Sequence, residues 1–123
     1  MKHSVQDIRS ELAMQTGTSH YWRVSPFKNA PVITDGVKTM ADMCEAYWLV
    51  DNITSHQLEE KIRNEEFQVW KLERKPDDTA TLTCEDGNNH VLLSEKISYT
   101  DFPLPEGIKL YLSNGVLLLS SEY

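Results

Sequence analysis

The hydrophobic periodicity of this chain predicts an α+β fold, in which N-terminal helices pack on one face of a C-terminal antiparallel β-meander of about four to five strands. Three observations carry the expectation. Apolar residues in the first half recur at three- and four-residue steps, most densely over 34–53. After Glu66 the period falls to two. Near the C-terminus, Ile108–Ser113 and Val116–Leu119 flank Asn114-Gly115, the strongest hairpin signal in the chain. With 123 residues, 40% hydrophobic and 25% charged, the sequence fits one globular domain spanning 1–123. Such a domain buries roughly two-thirds of its unfolded surface without disulfides or metal.

The elements follow in order. Ser4 and Asp7 form a capping pair, and Val5, Ile8 and Leu12 make a stripe that Gly17 can end, which predicts a first helix over 5–15. The segment 16–24 is rich in aromatic and β-branched residues, but Pro26 and Pro31 follow it. A short strand or extended loop is expected there, with Tyr21 and Trp22 covering the core. Thr34 is placed to cap a central helix over 34–53, and Asp35 suits the positive end of its dipole. Val37, Met40, Ala41, Cys44 and Trp48 share its buried face. Leu58 and Ile62 continue a helical stripe over 55–63, with Glu59 and Arg63 one turn apart, as an extension of that helix or a third one. Strands are predicted over 67–74, 79–84, 90–99, 108–113 and 116–119, and Glu95 interrupts the apolar phase of the third unless a bulge or a sheet edge relieves it.

A formal charge of −7 repels phosphate backbones, so direct nucleic-acid binding is not expected. No signal-peptide pattern and no membrane-length apolar run occurs, and the expected location is cytoplasmic. Cys44 and Cys84 sit in apolar phases as reduced core residues. His3, His20, His56 and His90 lack metal-ligand spacing and are read as surface residues. Asp35, Asp42 and Asp51 are read as caps and solvated groups, and the pairs Asp77-Asp78 and Glu85-Asp86 as turn formers. No catalytic, cofactor or metal site is expected. Two other sites remain. Tyr21, Trp22, Tyr47 and Trp48 are candidates for an aromatic-lined pocket between helices and sheet. In the last hairpin, Leu110, Leu112, Leu117 and Leu119 should meet the helices. Tyr111, Val116 and Leu118 then lie on the reverse face, covered by 16–31 or serving as an interface to a second copy or another protein.

The stretches 15–18, 21–22, 34–37, 46–51, 67–72 and 110–119 together resemble a family of small proteins of unknown function encoded in bacterial, phage and plasmid genomes. The resemblance implies no catalytic or binding residue. What it implies is context: an acidic accessory or anti-defence factor that binds and blocks a host protein, such as a nucleic-acid-binding CRISPR effector. The competing expectation is a small-molecule binder or small enzyme that uses the aromatic pocket.

Overall fold

The computed structural model describes residues 3–123. The helices are α1 (Val5–Ala13), α2 (Asp35–Met43), α3 (Tyr47–His56) and α4 (Glu60–Arg63). The strands are β1 (Tyr21–Arg23), β2 (Val32–Thr34), β3 (Phe67–Arg74), β4 (Ala80–Glu85), β5 (Val91–Ile97), β6 (Ile108–Ser113) and β7 (Val116–Leu119), followed by a 3-10 turn over Ser120–Glu122. No described helix is long and apolar enough to cross a membrane.

The architecture is α+β, but the sheet is larger than the expected meander and is mixed. Seven strands run in the order β1-β2-β7-β6-β3-β4-β5, and β2 lies parallel to β7 while every other pair is antiparallel. The parallel pair starts where the Val32 amide donates to the Gly115 carbonyl at 3.0 Å. Pro31 immediately precedes it, so the proline sits outside the ladder rather than preventing it.

The central helix is two helices. The Ala46 amide donates to the Ala41 carbonyl at 2.9 Å and Glu45 takes φ 52°, which closes α2 with a Schellman-type turn that lacks the usual glycine. The break changes the phase. Val37, Met40, Ala41 and Cys44 are buried as expected, whereas Trp48 is only half-buried and Leu49, Val50 and Ile53 take over the core face of α3. The first helix stops at Ala13 with Met14 as its cap, short of Gly17, which does not adopt positive φ. Ser4 caps it through the Asp7 amide as expected. Of the 55–63 stripe, Ile62 is buried and Leu58 is exposed.

One sheet face meets the helices. Trp70, Leu72, Leu82, Cys84, Leu110, Leu112, Leu117 and Leu119 point that way and are nearly or wholly buried. Fully burying each of the larger aliphatic side chains stabilises the fold by about 1.5–3 kcal/mol. The loop before β6 adds Phe102 and Leu104. Gly107 (φ 74°) closes that loop against β3, where a Cβ would lie 1.8 Å from the Leu72 carbonyl oxygen. A buried amide pair completes this layer. Gln57 and Gln68 exchange two hydrogen bonds of 2.9 Å, and the Gln68 oxygen also accepts from the Trp70 indole at 2.9 Å.

Candidate functional site

Among the described residues, no α-helix covers the reverse face of the sheet. An antiparallel sheet with one uncovered face normally alternates apolar and polar residues, and β4 and β5 comply by presenting Thr81, Thr83, Ser94 and Lys96 there. The middle of the sheet does not. The hairpin pairs Tyr111 with Leu118 and Ser113 with Val116, as the two-residue turn requires, and β3 adds Phe67 and Val69 beside them. Tyr111, Val116 and Leu118 therefore lie together on this face. The segment 16–31 does not fold over them, because β1 joins the sheet at its outer edge, where Tyr21 and Arg23 share the open face and Thr18 and Tyr21 border it.

The C-terminus reaches this face instead. Thr34 caps α2 by accepting from the Val37 amide at 3.2 Å and donates its hydroxyl proton to Glu122 Oε1 at 2.7 Å. Glu122 also accepts from the Leu119 amide at 3.0 Å and the Gly36 amide at 3.3 Å, so a carboxylate sits at the positive end of the helix. A Cβ on Gly36 would fall 2.5 Å from that carboxylate, so a larger residue there would displace the Glu122 side chain. Anchoring Glu122 brings Tyr123 against Phe67 and Tyr111, with ring centroids 5.0–5.5 Å apart and planes tilted by 32–58°. This aromatic triad stands between two hollows. One, of about 410 Å³, is lined by Tyr21, Val116, Leu118 and Tyr123, among others. The other, of about 250 Å³, takes in Phe67, Val69, Lys71, Lys109 and Tyr111.

The charge of the face differs from that of the chain. Arg23, Lys71, Lys96 and Lys109 project from its strands against Glu73 and Glu85, whereas the whole protein carries −7. Lys71 and Lys109 are directly opposite one another on β3 and β6. Lys71 turns to Glu85 at 3.0 Å, and the Lys109 ammonium lies 5.9 Å from the Tyr111 ring centroid; among the described residues no carboxylate pairs with it.

Tyr21, Trp22, Tyr47 and Trp48 do not form one pocket. Adjacent strand residues point to opposite faces, so Tyr21 borders the open face while Trp22 turns to the helical side. There its indole donates to Asp35 at 2.8 Å and Lys38 lies 4.9 Å from its ring centroid. Lys38 pairs with Asp42 at 3.2 Å, and the Tyr47 hydroxyl donates to Asp42 at 2.7 Å; burial and Asp42 push that hydroxyl up to about 12. Trp22 and Tyr47 thus end an exposed polar chain, and Trp48 packs on the core. Asp35 also accepts from the Ser19 and His20 amides, which ties β1 to the start of α2.

His56 is not a surface residue. Its side chain is 20% exposed and stacks on Trp70, Nδ1 faces Glu59 and Nε2 faces Glu95 at 3.1 Å. Glu59 is thereby turned to His56, and Arg63 instead donates to the Leu58 carbonyl. Burial pulls the imidazole pKa down, but its hydrogen bonds to the two carboxylates outweigh burial and the net shift is upward. Glu95 lies on the edge strand β5, which answers its place in an apolar phase. Both thiols are buried; desolvation pushes Cys44 up to about 11 and Cys84 up to about 12, so neither is a ready nucleophile. Among the described residues no group of three His, Cys, Asp or Glu side chains could hold a metal ion.

Fold and site together define a small two-layer α+β protein with one uncovered, aromatic sheet face. The chain belongs to a family of unknown function, DUF6876, whose model matches residues 6–123. No curated protein and no solved structure matches it.

Sequence reasoning placed Tyr111, Val116 and Leu118 and missed Phe67, Val69, Lys71, Lys109 and Tyr123. The period-two phase of β3 could have supplied the first three. Lys109 follows from the hairpin phase through Tyr111, and nothing local marks Tyr123.

Proposed function

We propose that this is a non-enzymatic interaction protein that engages another protein through the open sheet face. The observation that carries the reading is the apolar patch of Phe67, Tyr111, Val116, Leu118 and Tyr123 on a face with no covering layer. Aromatic residues in that setting are typical of interface centres. The chemistry-bearing side chains elsewhere are already engaged, since His56 has a carboxylate on each ring nitrogen and both thiols are held protonated. The resemblance to a family encoded in bacterial, phage and plasmid genomes is the support for placing it as a cytoplasmic accessory factor of the anti-defence kind that blocks a host protein. The small-molecule reading has a weaker basis. A hollow of about 570 Å³ borders Phe27, Leu58 and Arg63, but the amide groups of Gln57 and Gln68 at its floor are spent on each other and on backbone carbonyls.

Capture from host lysate tests the reading. The wild type and a helical-side variant, Asp51→Arg, should retain the same partner, and Leu118→Asp should lose it while keeping its melting temperature. Equal retention by a folded Leu118→Asp protein would refute it.

A further inference from the structure

We infer that the open face is built for a partner segment that is acidic as well as apolar, one that sets a carboxylate between Lys71 and Lys109 and an aliphatic or aromatic side chain over Val116 and Leu118. The inference rests on the interaction reading and adds the partner's chemistry.

The register supplies the first argument. Like charges directly opposite across a ladder destabilise a sheet, yet Lys71 and Lys109 are so placed, on the face that has no cover. Glu85 compensates Lys71 alone, and Lys109 is left beside the Tyr111 ring. Both lysines, together with Glu85, line the hollow of about 250 Å³, next to the triad. A carboxylate entering there would meet the unpaired Lys109 ammonium directly and would share Lys71 with Glu85, which also lines the hollow. The second hollow, about 410 Å³, lies across Tyr123 and offers Val116 and Leu118, so the two demands fall on neighbouring positions of one segment.

Charge also decides against the other occupants. A second copy packed face to face would bring Arg23, Lys71, Lys96 and Lys109 against their own equivalents, with Glu73, Glu85 and the anchored Glu122 to answer them, a basic excess on both sides. The basic groove of a nucleic-acid-binding protein meets the same repulsion. A single-stranded nucleic acid could satisfy the lysines, but the triad rings are packed against one another at tilts of 32–58° instead of lying open as flat platforms, and the chain's −7 opposes a run of phosphates. The excess acid lies off this face, and at physiological salt charges beyond roughly 8 Å are largely screened, so local lysines set the preference for a short acidic segment.

The test is selection of binders from a displayed library of random dodecapeptides, followed by affinity measurement on wild type, Lys109→Glu, Lys71→Glu/Lys109→Glu, Leu118→Asp and Tyr111→Ser, each checked by thermal melt. Selected peptides should carry Asp or Glu next to Leu, Ile, Phe or Trp. Lys109→Glu should weaken them about tenfold, the scale of one charge-assisted contact. The double charge reversal should instead select basic peptides. An empty selection, or binders without acidic enrichment that Leu118→Asp and Tyr111→Ser still abolish, would overturn the acidic-partner inference and leave the face reading intact. Binders indifferent to both of those folded variants would overturn the face reading as well. Tight binding of oligothymidylate that competes with the peptides would overturn the inference in favour of nucleic acid.

Discussion

Replacing Gln68 by leucine removes the hub of the buried polar network at similar side-chain volume. The wild-type amide oxygen accepts from Gln57 Nε2 and the Trp70 indole, each at 2.9 Å, and its nitrogen donates to Gln57 Oε1 and the Ile62 carbonyl, again at 2.9 Å. Trp70 is wholly buried, so its indole loses its acceptor without a replacement, while Gln57, at the floor of the hollow of about 570 Å³, is 6% exposed and the Ile62 carbonyl keeps the Glu65 amide. Each orphaned buried group costs about 1–3 kcal/mol. Leucine returns part of this through its apolar burial, about 1.5–3 kcal/mol. A net loss of about 3–5 kcal/mol is expected, out of a total that for a domain is about 5–15 kcal/mol. The melting temperature should fall by roughly 10–20 °C on that basis. Urea unfolding followed by tryptophan fluorescence measures it, with the slope checked for constancy. The double variant Gln57→Leu/Gln68→Leu should be less destabilised than the two single losses added, because the second change removes an already orphaned partner. A Gln68→Leu protein within about 1 kcal/mol of wild type, or strict additivity, would refute the assignment of this pair as a satisfied buried network.

The remaining predictions concern charge and backbone. His56 has a raised folded pKa, so its contribution is fully present below the unfolded value and is lost as pH rises through the folded one; melts from about pH 5 to 9 should show a basic-side decline that His56→Gln flattens. Asp35 has the opposite sign, its carboxyl held low by the Trp22 indole and then the Ser19 amide, so its contribution is lost as pH falls through the folded value; Asp35→Asn should speed proteolytic cleavage within 18–31 in limited digestion. Gly107→Ala meets the Leu72 carbonyl at positive φ and should cost more than about 2 kcal/mol in denaturant unfolding. Cys44 and Cys84 should react with a thiol reagent only after denaturation.

What was legible in the sequence was local. Asn114-Gly115 fixed the last hairpin to the residue, pairing Leu110 with Leu119 and Leu112 with Leu117, because a two-residue turn leaves one register. That register also separated Tyr111, Val116 and Leu118 from the helix-facing leucines. What was hidden depends on distant partners. The three residues of β2 become a strand only beside β7, and no local signal announces a parallel pairing across most of the chain. Glu45 ends α2 in a conformation that glycine would have advertised. Glu95 did leave a trace, since a carboxylate in an apolar phase demands a partner, but its partner His56 lies on another element. Tyr123 reaches the open face through contacts among Thr34, Gly36 and Glu122 that no pattern links.

The uncovered sheet face is the surface proposed to bind another protein. Hydrogen exchange on the protein alone and with its captured partner tests it most directly. Binding at that face should slow exchange over 67–70, 109–118 and 121–123 and leave the amides of α1 and α3 unchanged. Protection confined to the helical layer, with β6 and β7 unaltered, would contradict it.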